Sequence, residues 1–112
     1  MNVHEQERGN VLVLSFDEKR LDAHKAPRLR EEIISRIEQG RHLIVVDLSA
    51  TEFMDSSGLG ALVSCLKRIG PKGGIAVAGL GSSVARLFLL TRMDRVFSLH
   101  GTVDEAVARL EA

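Results

Sequence analysis

Apolar and polar positions follow two different periods along this chain, and the places where the period changes mark its elements. Val11 to Phe16 (VLVLSF) is a nearly unbroken aliphatic run and predicts a strand. Asn2 to Gln6 is a more polar candidate partner, and Gly9-Asn10 between them predicts a hairpin. Asp17 to Asp22 is a charged connector whose one apolar residue is Leu21. Ala26, Leu29, Ile33, Ile34 and Ile37 then recur at spacings of 3, 4, 1 and 3, which is one face of an amphipathic helix. Pro27 suits its first turn, where a missing N–H costs nothing, and Gly40 suits the residue past its end. Leu43 to Leu48 (LIVVDL) predicts a buried strand with Asp47 as its polar position.

The second half repeats the alternation. Leu59, Leu62, Val63, Leu66 and Ile69 are spaced for another one-faced helix, stopped by Gly70-Pro71-Lys72-Gly73-Gly74. Ile75 to Ala78 predicts a short strand. Ser82 to Thr91 predicts a third helix that turns Val84, Leu87, Phe88 and either Thr91 or Leu90 to the core. Val96-Phe97 predicts a last strand. Thr102 and Glu105 have capping-box spacing, able to satisfy two end donors, ahead of a helix striped by Val103, Ala106, Val107 and Leu110. The order is ββαβαβαβα. Strands alternating with helices call for right-handed crossovers, hence an α/β fold with a mostly parallel central sheet covered by helices. With 112 residues there is room for one core, so residues 1–112 are expected to form one domain.

Composition narrows the function more than the fold. Lys+Arg and Asp+Glu both number 15, so the net charge is zero, and no electrostatic footprint for nucleic acid or anionic lipid is expected. The polar Met1–Arg8 start lacks the apolar core of a signal peptide, and no apolar run approaches a membrane span. Cys65 is alone, which rules out an intramolecular disulfide. A cytoplasmic protein is expected.

The chemistry concentrates between the second apolar strand and the second helix, in Phe53-Met54-Asp55-Ser56-Ser57-Gly58-Leu59-Gly60. Such a loop lies at the carboxyl end of its strand, where α/β sheets place ligands and partners. Asp and Ser there are good helix caps, because their oxygens accept the free N–H groups of the first turn. Capping does not account for Gly58 and Gly60, each of which disfavours a helix by about 1 kcal/mol against alanine. Glycines keep a surface bare, so another molecule can come close. Phe53 and Met54 either pin the loop to the core or form an exposed contact pair.

Enzymatic readings fare poorly. A nucleophile elbow, G-x-S-x-G, would need a glycine where Met54 stands, and the histidines His4, His24, His42 and His100 are scattered. Gly79-Leu80-Gly81 resembles part of a dinucleotide fingerprint, but its third small position falls on Val84 and no acid stands near position 99. There is no P-loop, and no Cys/His cluster has metal-ligand spacing. Cys65 reads as a packed small hydrophobe. No enzymatic role and no cofactor are expected.

Leu48 through Gly60 (LSATEFMDSSGLG), with its flanking strand and helix, resembles the signature of bacterial STAS-domain anti-sigma factor antagonists, and the element order is similar to that fold along essentially the whole chain. The resemblance implies that Ser56, directly after Asp55, is the serine phosphorylated by an anti-sigma factor that is also a GHKL-type serine kinase. It implies that the unphosphorylated form binds that kinase and frees a sigma factor, and that a PP2C-type phosphatase restores it. The implied partner surface comprises Asp22, Asp55, Ser56, Ser57, Gly58, Leu59 and Gly60. Leu21-Asp22 resembles the end of the family's G-x-[LI]-D segment, with Glu18-Lys19-Arg20 replacing its glycine-containing turn. The alternative is a STAS interaction module in another bacterial signalling assembly, with no sigma factor involved. The start at Met1 and the capped final helix argue against a segment of a membrane transporter. A phosphate at a helix N-terminus is tolerated by the dipole, with about 0.3–1 kcal/mol in its favour, so the fold is expected to survive phosphorylation.

Overall fold

A computed structural model describes all residues, Met1–Ala112. A five-stranded sheet runs in the order β1-β2-β4-β6-β7, formed by β1 (Asn2–Arg8), β2 (Val11–Asp17), β4 (Leu43–Asp47), β6 (Gly74–Ala78) and β7 (Ser98–His100). The first pair is the antiparallel hairpin, turning at Gly9, and every other pair is parallel. Helices α1 (Ala26–Glu38), α2 (Ser56–Ile69) and α3 (Ser82–Leu90) fill the connections, with a 3-10 turn at Met93–Arg95, and α4 (Val103–Glu111) follows the last strand. No helix is long and apolar enough to cross a membrane.

The strand alternation divides the core in two. Leu12, Leu14, Phe16, Ile44, Val46, Ile75 and Val77 face a large core shared with α1, α2 and α3. Val11, Val13, Val45, Ala76 and Ala78 face the other way, where Ala106 and Val107 of α4 cover them. The small side chains of β6 let α4 pack close to the sheet on that thinner side. Ion pairs tie the hairpin's polar first strand to α1, through Arg36 to Glu5 at 2.5 Å, and to the turn after it, through Arg41 to Glu7.

Three readings of the sequence need correction. The last strand is Ser98–His100, not Val96-Phe97. Phe97 is instead a core plug, edge-on to Phe88 with ring centroids 5.8 Å apart, while Val96 is exposed. Neither Leu90 nor Thr91 reaches the core, because α3 ends there and the Thr91 hydroxyl donates back to the Leu87 carbonyl at 2.7 Å. The Thr102 cap forms, with its hydroxyl accepting from the Glu105 N–H at 3.2 Å. The Glu105 carboxylate, however, takes the Thr102 hydroxyl rather than an end N–H, so only half the box is made.

Two further strands are too short to show in the hydrophobic pattern. β3 (Arg20–Leu21) lies in the charged connector and β5 (Phe53–Met54) in the loop after β4, and they pair in parallel. This small ladder positions the candidate site.

Candidate functional site

The loop after β4 is stitched to the connector by the backbone. The Glu52 and Phe53 N–H groups both donate to the Lys19 carbonyl, at 2.8 and 3.1 Å. The buried Thr51 hydroxyl donates to the Glu18 carbonyl at 2.8 Å. Arg20 pairs with Phe53 and Leu21 with Met54, and the Asp55 N–H then reaches the Leu21 carbonyl at 3.4 Å. One step further along each strand stand Asp22 and Asp55, so the ladder brings the two predicted carboxylates to the same end of the site.

Period-2 alternation on this ladder resolves the Phe53-Met54 pair. Leu21 and Met54 point inward and are buried. Phe53 points outward and is half-buried, with the Arg20 guanidinium 4.2 Å from its ring centroid. One residue pins the loop and the other presents a surface. Arg20 was not among the sequence candidates, since its partner lies 33 positions away and only the pairing register reveals it.

Asp55 is the N-cap of α2. Its Oδ1 accepts from the Ser57 N–H at 2.9 Å and the Gly58 N–H at 3.3 Å, satisfying two donors of the first turn. Ser56 and Ser57 occupy the first two helical positions, both exposed, and no hydrogen bond within the chain engages either hydroxyl. Asp22 does parallel work at the other helix. Its Oδ1 accepts from the His24 and Lys25 N–H groups at 3.1 and 3.3 Å, shaping the turn into α1, and its Oδ2 lies 3.9 Å from Arg20 Nε.

The two glycines differ in purpose. A Cβ on Gly58 would stand 2.5 Å from the Leu21 carbonyl oxygen and 3.0 Å from Met54 Cγ. Gly58 is therefore small for an internal reason, the approach of α2 to β3, and not to bare the surface. Leu59 is likewise buried and holds the helix to the core. Gly60 is the open one, exposed with nothing within 4 Å of a built Cβ. It lines a hollow of about 370 Å³ between α1 and α2, together with Ala23, Pro27, Arg30, Ser57 and Ser64. Of the seven predicted contact residues, the structure gathers Asp22, Asp55, Ser56, Ser57 and Gly60 near the outside and turns Gly58 and Leu59 inward.

Other candidates fall into plain structural places. Cys65 is buried under α1, its Sγ 3.9 Å from the Arg30 carbonyl, and burial pushes its thiol up to about 11. Gly79 has a positive φ of 75° and Gly81 caps α3, so Gly79-Leu80-Gly81 is a tight strand-to-helix turn. His100 touches a serine, Ser98, at 2.6 Å, but on β7.

Residues 2–106 match the sequence profile of the STAS domain. The chain belongs to the STAS domain family. An anti-sigma-F factor antagonist of Mycobacterium tuberculosis is 33% identical to this STAS domain over 97 residues, covering 87% of this chain and 79% of the relative. The crystal structure of an anti-sigma factor antagonist from Mycobacterium paratuberculosis superposes with a TM-score of 0.91 at 29% identity, over 99% of this chain and 94% of that one. A Bacillus cell fate determinant, SpoIIAA, solved in its phosphorylated form, shares the fold with a TM-score of 0.71 at 21% identity, covering 96% and 98%.

Proposed function

We propose that this STAS domain is a non-enzymatic anti-sigma factor antagonist, switched by phosphorylation of Ser56. In its unphosphorylated form it binds an anti-sigma factor that is also a GHKL-type serine kinase, which frees a sigma factor. Phosphate on Ser56 ends that binding, and a PP2C-type phosphatase restores it. The proposed setting is the cytoplasm, where a kinase finds ATP. The family relatives that are named as antagonists support the role. The Ser56 and Ser57 hydroxyls are both exposed and unengaged at the start of α2, and the observation that supports Ser56 is its place at the first helical position, directly after the capping Asp55, where the family signature has its serine.

The cap also says what a phosphate there does. Phosphorylation adds roughly −1.5 to −2 charges. The Ser57 and Gly58 N–H groups are already held by Asp55, so the new charge finds those inward donors taken. It joins the carboxylates of Asp55 and Asp22 on the outer surface. A partner carboxylate about 6 Å away would be opposed by about 3 kcal/mol per unit pair at an effective dielectric near 20. The fold stays and the surface changes.

Phosphosite mapping by tandem mass spectrometry, after incubation with the anti-sigma kinase of the same cells and ATP, tests the assignment. Phosphate on Ser56, none on Ser56→Ala, and constitutive kinase binding by Ser56→Ala are expected. Labelling of Ser57, or equal labelling of Ser56→Ala, overturns the site. Release of no sigma factor would move the domain to another signalling assembly.

A further inference from the structure

Arg20 is a cation without a firm partner beside the Ser56 loop. Its Nε is 3.9 Å from Asp22 Oδ2, at the outer limit of an ion pair, and its guanidinium lies 4.2 Å from the centroid of the Phe53 ring. With the side chain 63% exposed, both contacts are of the weak, water-screened kind. The Asp22 carboxylate is shared as well, because its Oδ1 holds the His24 and Lys25 N–H groups. Most neighbouring cations are committed or turned elsewhere. Lys25 Nζ is 2.6 Å from Glu18 Oε1, Arg28 and Arg36 both pair with Glu32, and Arg30 lines the α1–α2 hollow beside Ser57.

The backbone brings Arg20 within reach of Ser56. The carbonyl of the next residue, Leu21, accepts from the Asp55 N–H at 3.4 Å and packs against Gly58, where an added Cβ would stand 2.5 Å from it. Ser56 lies between those two contacts. Standard backbone dimensions then keep the Cα atoms of Arg20 and Ser56 within about 15 Å of each other, which an extended arginine and a phosphoserine span between them. Arg20 leaves the ladder on the same outer face as Phe53, its partner in the pairing register.

We propose that Arg20 is the internal ligand of a phosphate on Ser56. When Ser56 is phosphorylated, the guanidinium leaves the Phe53 ring and the Asp22 carboxylate and donates two N–H groups to two phosphate oxygens. The inference rests on the Ser56 assignment above. The relative strength of the contacts sets the direction. A phosphate brings roughly −1.5 to −2 charges and three acceptor oxygens, which the planar fork of an arginine matches bidentately. Against it stand one carboxylate at 3.9 Å and the face of one ring. Asp22 keeps the two N–H groups on its Oδ1. Two consequences follow for the surface. The Phe53 ring is uncovered, so phosphorylation changes apolar surface as well as charge. The site still gains the whole charge of the phosphate, because Arg20 only changes its partner, and repulsion of a partner carboxylate persists.

The test uses the full chain with phosphoserine placed at position 56 during translation, so no kinase is needed. Phosphorus NMR titration reads the second pKa of the phosphate, ordinarily about 6, and nitrogen labelling follows the Arg20 Nε–H signal. The phosphate pKa should lie lower than in the Arg20→Gln phosphoprotein by about half a pH unit or more, because a paired cation favours the dianion. Lys19→Gln and Arg30→Gln should move it far less. Asp22, Asp55, Glu52, His24 and the Lys25–Glu18 pair are common to all these proteins, so their effects cancel in the comparison. On phosphorylation the Arg20 signal should lose the upfield shift imposed by the Phe53 ring. Arg20→Lys, which keeps the charge without the fork, should raise the pKa by part of that amount and carries the comparison if Arg20→Gln loses its folded spectrum. An unchanged pKa in the Arg20 variants, an equal rise in Lys19→Gln or Arg30→Gln, or an Arg20 signal that stays in place overturns the proposal. Any of these results leaves the kinase mapping of Ser56 standing, and failure of that mapping leaves this titration readable.

Discussion

Replacing Gly58 with alanine should destabilise the domain, although alanine is the better helix former. The added methyl would lie 2.5 Å from the Leu21 carbonyl oxygen, a backbone atom that pairs the Asp55 N–H and cannot swing aside like a side-chain end. Either α2 moves off β3 or the β3–β5 ladder opens. Overpacking of this kind costs about 1–3 kcal/mol, against a propensity gain of up to about 1 kcal/mol. The clash with backbone favours the upper part of that range, for a net loss of about 1–2 kcal/mol. Gly60→Ala is the internal comparison, since nothing lies within 4 Å of its Cβ, and it should stabilise by up to about 1 kcal/mol. Urea unfolding of the three proteins, read as midpoints at unchanged m-value, measures both effects. Thermal midpoints should separate by roughly 4 °C per kcal/mol. Gly58→Ala as stable as the parent, or no different from Gly60→Ala, would refute the argument that Gly58 serves the approach of α2 to β3.

Asp55→Ala should lose about 1 kcal/mol in the same urea assay through the freed Ser57 and Gly58 N–H groups, with Asp55→Asn recovering most of it. Glu32 is held below its ordinary value of 4.5 by hydrogen bonds from Arg36 and then Arg28. Its contribution is therefore present above about pH 4.5 and lost as the pH falls through the lower folded value. Glu32→Gln should cost up to about 1 kcal/mol at pH 7, with the difference shrinking in acid, as unfolding midpoints across pH will show. Cys65, buried with its thiol pushed up to about 11, should resist a thiol reagent at pH 8 in the folded protein and react once urea unfolds it.

Much of this architecture is legible in the chain because burial writes a period. VLVLSF and LIVVDL became the central strands β2 and β4, Pro27 and Gly40 frame α1, and Asp55 caps α2. The failures occur where a contact leaves no period. Val96-Phe97 satisfies a strand's composition, but pairing is decided by register with β6, and it falls on Ser98–His100. Leu90 continues an apolar stripe that ends in solvent because the chain turns left-handed at Arg92. At the site, the residue types were readable and their geometry was not. The β3–β5 ladder joins two-residue pieces, so neither Arg20 over Phe53 nor Gly58 against Leu21 has a signature along the chain.

The most direct measurement of the central claim is the calorimetric Kd for the anti-sigma factor kinase of the same cells, with the protein unphosphorylated and with phosphoserine installed at position 56. About 3 kcal/mol of repulsion between one partner charge and one unit of the phosphate corresponds to a loss of at least about 100-fold. The account predicts such a loss with an unchanged circular dichroism spectrum, since the capped start of α2 keeps its hydrogen bonds. Equal affinity of the two forms, or a loss accompanied by unfolding of α2, would contradict it.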